Sequence, residues 1–132
     1  MAIAVAVLVL GAIVLVVVGW MGLAGKLPRN HLAGIRTPYT MRSEENWRAT
    51  HRHAAPILIF GGVAVVAAGL AFLPFAIAGS VSDRFGSIVA LILAGIMLAT
   101  AVASWLFGTR RARAELRDAG SPVRPGGGYS KG

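Results

Sequence analysis

His31, His51 and His53 share one polar stretch with Glu44 and Glu45, KLPRNHLAGIRTPYTMRSEENWRATHRH, and these are the side chains able to hold a metal or move a proton. Their spacing argues against a metal site. His51 and His53 stand two apart, so on a helix they point to different sides. Glu44 and His51, seven apart, share a face but lie about 10 Å apart along the axis. Solvated or headgroup-facing histidines are the expectation. Ser43 reads as a helix cap, and no third residue orients a Ser–His pair for nucleophilic attack. The C-terminal PGGGYSKG has no helix after it, so it reads as a flexible tail and not as a phosphate loop. The absence of cysteine removes thiol catalysis, disulfides and cysteine metal sites. No enzyme activity, catalytic residue or cofactor is expected.

The elements that must position this stretch are apolar. Hydrophobic residues make up 56% of the 132 and charged ones 14%, against about 25% charged in a soluble domain. No Asp, Glu, Lys or Arg occurs in residues 1–25, 53–82 or 85–109. Each gap holds the ~20 apolar residues that cross a bilayer core, and only helices satisfy their own backbone in lipid. The sequence therefore predicts an all-α integral membrane bundle of three helices, near residues 3–24, 56–79 and 86–108. A cytoplasmic loop over 25–55 contains a short interfacial helix. A basic juxtamembrane segment follows over 109–119, and residues 120–132 form a disordered tail. The first segment is expected to be retained, because MAIA carries no positive n-region.

Charge placement sets the orientation. Six Lys or Arg residues lie in the first loop (Lys26, Arg29, Arg36, Arg42, Arg48, Arg52) and six after Thr109, whereas the second loop has Arg84 alone. Basic residues collect on the cytoplasmic side, so the N-terminus is expected outside and the C-terminus inside, in a plasma membrane. The net charge of +8 hugs the helix ends. Anionic lipid headgroups are therefore the expected partners, and nucleic acid is not.

Small residues predict the packing faces. Gly95, Ala99 and Ala103 form a ridge on the third helix, Ala64 and Ala68 on the second, and Gly11, Leu15, Val18 and Gly22 line a face of the first. Packing within one chain is expected of them, with homodimerisation the alternative. Thr100 and Ser104 should bond back to their own helix. Pro56 should start the second span and Pro74 loosen its far end. Trp20 and Trp105 suit interfacial anchoring.

In the loop, Pro28, Asn30, Gly34 and Pro38 predict turns and extended chain. Ser43, Glu44 and Glu45 begin a helix of about Glu44 to His53, with Trp47 dipping into the headgroup boundary and a turn near Pro56. Arg36 has three candidate partners: Glu44 or Glu45, free helix-end carbonyls, or a lipid phosphate.

One register of this loop holds Pro28 and Asn30, Gly34-Ile35-Arg36-Thr37-Pro38, Tyr39 and Thr40, Ser43 and Glu44, Trp47, then His51 with Arg52. This run resembles the signature of the SdpI family of bacterial membrane proteins. The resemblance covers the loop and the first two helices, while the third helix agrees by hydropathy. The family's namesake is an immunity protein against a secreted peptide toxin and is linked to signalling toward a transcriptional regulator. The resemblance implies a membrane protein that recognises a peptide or protein partner, with Asn30, Arg36, Thr37, Trp47 and His51 as its surface and Gly34 and Pro38 shaping it. A small accessory subunit of a larger membrane complex, using the Gly95/Ala99/Ala103 ridge, is the alternative.

Overall fold

A computed structural model describes residues 1–120, which form three long α-helices and one 3-10 turn. They are α1 (Ala2–Leu23), α2 (Glu44–Ile77) and α3 (Asp83–Gly120), with the turn at Thr40–Arg42. The disordered tail expected over 120–132 lies, from residue 121 onward, outside the described residues. All three helices are long and apolar enough to cross a membrane, and only 28%, 22% and 17% of their most apolar windows is buried inside the protein. The rest of that apolar surface, Ile3, Leu10, Phe60, Leu91 and Leu98 among it, faces outward. A helix that is apolar on all sides needs lipid around it, so this is a multi-pass membrane protein.

The chain is an antiparallel meander with α2 in the middle. α2 packs against both neighbours along its length, whereas α1 and α3 meet little. Close approach comes from glycine. A Cβ on Gly62 would sit 2.7 Å from Val16 Cγ2 and 2.9 Å from the Ala12 carbonyl oxygen, and one on Gly108 would sit 2.8 Å from the Thr50 carbonyl oxygen. Where lipid removes the hydrophobic drive, such contacts supply association. The apolar centre is Val5, Val9, Ala12, Val65 and Leu93.

The expected packing faces need correction. Gly95, Ala99 and Ala103 are exposed, as are Ala64 and Ala68, and nothing lies within 4 Å of a Cβ built on Gly95. The buried line of α3 is instead Leu93, Thr100, Ser104, Gly108 and Ala112. It wins because it turns the span's hydroxyls inward. Ser104 Oγ donates to the Ala101 carbonyl at 2.8 Å, as expected, and Thr100 packs where Gly61 has no side chain. On α1 the buried line is Val5, Val9, Ala12, Gly19 and Gly22, with Gly11, Leu15 and Val18 at its margin.

The expected turn at Pro56 is also absent. α2 runs unbroken through Pro56 and Pro74. An interior proline costs about 3 kcal/mol through a lost hydrogen bond and a clash with the carbonyl four residues back. Here that carbonyl belongs to Arg52, and both Arg52 and Pro56 are exposed. The defect lies off the packed face, while Ala54, Ala55 and Leu58 on that face stay buried and hold the helix together. The consequence is a helix of about 50 Å by its rise per residue. Residues 54–77 are its spanning part, and Glu44 to His53 project beyond as a polar extension. α3 likewise continues past its apolar stretch.

α1 closes with paired backbone bonds, Lys26 N–H to the Met21 carbonyl at 2.8 Å and Gly25 N–H to that of Gly22 at 3.3 Å, with Gly25 at φ +67°. That left-handed residue turns the chain sharply into the loop.

Candidate functional site

At the basic end of the bundle the loop folds back on the polar extension of α2. Each step follows from a side chain that satisfies backbone. Asn30 Oδ1 accepts from the N–H groups of Leu32 and Ala33, both at 2.8 Å, and Asn30 Nδ2 donates to the Pro28 carbonyl at 2.7 Å. This fixes the first turn. Thr40 Oγ1 accepts from Thr37 N–H at 2.8 Å and donates to the Ile35 carbonyl at 2.8 Å. Thr37 Oγ1 in return accepts from Thr40 N–H at 3.2 Å. Thr40 is fully buried, so this exchange closes the second turn out of water. Ser43 caps α2 as expected, its Oγ accepting from Asn46 N–H at 3.1 Å. Asn46 Nδ2 donates to the Tyr39 carbonyl at 3.0 Å.

The two turns are clamped onto α2 by Trp47 and His51. Their rings meet at a tilt of 37° with centroids 4.2 Å apart. Trp47 Nε1–H donates to the Leu27 carbonyl at 2.9 Å, and His51 Nε2 accepts from Ile35 N–H at 2.8 Å. Since Nε2 must accept, the ring proton sits on Nδ1, which meets the Trp47 carbonyl at 2.8 Å. The ring is thereby fixed as one neutral tautomer. Burial holds His51 below the ordinary histidine pKa, a shift that the bond to the Trp47 carbonyl opposes.

Gly34 lies flat on this pair. Its φ is +106°, and a Cβ there would fall 2.5 Å from His51 Nε2 and 3.1 Å from the Trp47 ring. No other residue fits both the backbone angle and the space.

Trp47 was expected at the headgroup boundary and is instead wholly buried within the protein. The six-membered ring covers Gly34 while the indole N–H finds a partner inside. Arg36 does not pair with Glu44 or Glu45. Its Nη1 donates to the His31 carbonyl within the loop, and Glu44 pairs with Arg48 at 3.2 Å. Pro38 is exposed at the loop's edge.

Arg52 and His53 both bond Glu115 on α3. Those two hydrogen bonds, Arg52's first, hold the Glu115 carboxylate below its usual pKa. The link joins the two helix extensions outside the spanning segments. Thus His51 points into the clamp and His53 to α3, the divergence expected of residues two apart. Among the described residues no three of His, Asp and Glu gather into a metal-sized cluster.

Three contributors escaped sequence reasoning, Leu27, Asn46 and Glu115, while Thr40 was read as a signature residue without its role in closing the second turn. Asn46 lies in the first turn of α2 between the signature residues Glu44 and Trp47, where a polar side chain just after the Ser43 cap was the available signal. Leu27 acts through its carbonyl and Glu115 through a contact 62 or 63 residues away, and neither leaves a local pattern.

A three-helix membrane protein whose interhelical loop is clasped onto the middle helix by a buried Trp–His pair is the class that this geometry defines. The family model for the SdpI/YfhL protein family matches residues 26–106, and the chain belongs to that family. The match reaches further into α3 than the signature residues alone indicate, and it leaves α1 outside. No curated protein and no solved structure matches the chain.

Proposed function

We propose that the chain is a non-enzymatic immunity or signalling protein of a bacterial plasma membrane. In this reading the N-terminus lies outside and the basic end lies in the cytoplasm, where the loop recognises a peptide or protein partner. The observation that carries the reading is the outward edge of the clamp. Leu32 is 92% exposed, on a loop whose turns are pinned from beneath by Asn30, Thr40 and His51. Beside it an apolar cleft of 270 Å³ opens between α1 and α3, lined by Val14, Val18, Leu32, Ile35, Leu58 and Ala101. A rigid loop that holds a large apolar side chain over an apolar cleft suits an amphipathic segment entering from the membrane surface.

The recognition surface in this proposal is therefore Leu32 and Arg36, with Asn30, Gly34, Thr37, Trp47 and His51 as its scaffold. A photo-crosslinking residue at Leu32 should capture a discrete membrane-associated peptide or protein, and Val18→Trp, which fills the cleft, should abolish capture while the chain still accumulates. Undiminished capture by Val18→Trp would rule the cleft out.

The accessory-subunit reading has its own support in the exposed Gly95/Ala99/Ala103 ridge. A smooth small-residue face suits a neighbouring helix, from another protein or a second copy. Ala99→Leu would then release a co-purifying complex, with loop substitutions mild.

A further inference from the structure

On the far side of the loop a second cleft, of 760 Å³, lies between the motif turn and α3. We propose that it binds the headgroup of an anionic phospholipid from the surrounding leaflet, which ties the loop to α3. Three guanidinium groups line it, from Arg42, Arg110 and Arg113, and among the described residues no carboxylate does. Of the acids nearest in sequence, Glu44 pairs with Arg48, Glu115 with Arg52 and His53, and Glu45 lines a different cleft. Arg113 is held over the Tyr39 ring at 4.6 Å, which fixes one cation without neutralising it.

The position of the cleft selects a lipid over a soluble anion. Its α3 wall runs from Trp105 and Leu106, at the end of the uncharged stretch, to Arg110 and Arg113 one and two turns beyond. Trp105 is 44% exposed beside it, a placement suited to the glycerol level of a bilayer. Apolar wall below and convergent arginines above match acyl chain and phosphate in that order. Guanidinium forks suit phosphate oxygens. The opposite wall is Thr37, Pro38 and Tyr39 of the signature turn, so a bound phosphate would bridge two elements that otherwise meet here through the Arg113–Tyr39 contact.

The test is native mass spectrometry of the full chain released from a neutral detergent, titrated with phosphatidylglycerol and, separately, phosphatidylcholine. Saturable retention of one phosphatidylglycerol, with phosphatidylcholine lost, is expected. Arg42→Ala and Arg110→Ala should each weaken retention roughly fivefold, from about 1 kcal/mol per basic residue. Arg111→Ala removes the same charge at the same end, but Arg111 packs over Phe107 outside the cleft, and it should change retention less than about twofold. Thermal unfolding without lipid keeps the comparison fair, since these exposed arginines should leave it unchanged. If Arg111→Ala weakens binding as much as the others, or if phosphatidylcholine is retained equally, the site is overturned. Full competition by glycerol 1-phosphate would overturn the lipid assignment in favour of a soluble phosphate.

Discussion

The backbone N–H of Ile35 points at Nε2 of His51 across 2.8 Å, although the two residues lie sixteen apart in the chain. That bond joins the signature loop to the helix that carries the rest of the signature. It also dictates the state of the ring, since a protonated imidazole has no lone pair for Ile35.

A pH dependence follows. The unfolded chain takes up a proton on His51 near 6.5, and the folded chain resists it because the ring is buried. Once the pH falls below about 6.5 the unfolded state binds more protons than the folded one, so stability falls with falling pH. Thermal unfolding in detergent should be insensitive to pH above about 7 and decline as pH drops below 6.5. His51→Gln should be less stable at neutral pH and lose most of that decline. An equal slope in the variant would place the titration elsewhere.

Gly34→Ala meets both a left-handed backbone angle and a ring nitrogen 2.5 Å from its Cβ. The expected cost is about 1–3 kcal/mol from strain and overpacking. Hydrogen exchange at the Ile35 amide should accelerate in the same variant, because the donor can no longer reach His51. Unchanged exchange would mean that the loop does not depend on this contact.

Thr40→Val keeps shape and removes the hydroxyl that serves Thr37 N–H and the Ile35 carbonyl. Leaving both unpaired should cost about 1–3 kcal/mol, read as a lower unfolding midpoint together with faster exchange at Thr37. The N-cap at Ser43 lies downstream of this turn and should hold, so helical circular dichroism should not change.

Gly108→Ala and Gly95→Ala make a paired test of the packing. The first drives a methyl to within 2.8 Å of the Thr50 carbonyl oxygen, and the second meets nothing within 4 Å. A loss of about 1–3 kcal/mol is expected for Gly108. Gly95→Ala should be neutral, or stabilising by about 0.5 kcal/mol. The reverse order, measured by thermal unfolding, would show that α3 is rotated from the position described.

Much of this architecture was legible because lipid imposes simple demands. Three charge-free gaps can be satisfied in few ways, and the uncharged stretch of α3 gave its span directly. Ser43, Glu44 and Glu45 marked the start of a helix for the same reason that they cap it. The face of each helix was harder to read. Small residues recur every four positions in several registers of α3, and the choice between Gly95/Ala99/Ala103 and Thr100/Ser104/Gly108 turned on which line hides hydroxyls. Pro56 misled because a proline's effect depends on whether its defect faces a packed neighbour. Trp47 misled because an amphipathic ring suits a headgroup boundary and a buried clamp equally, and only the carbonyl of Leu27, far away in sequence, decides between them. The signature residues were recognisable as a set, but their inward use was not, since it rests on contacts across the loop.

The proposal that both basic segments lie on the cytoplasmic side of a membrane crossed three times is open to a direct test. The native chain has no cysteine, so a single introduced thiol reports its own side. Lys26→Cys and Ser80→Cys, each probed in intact cells with a membrane-impermeant maleimide, give the most direct answer. The account predicts that the Ser80→Cys protein labels at once and the Lys26→Cys protein only after permeabilisation. Labelling of the Lys26→Cys protein in intact cells, or equal labelling of the two, would contradict it.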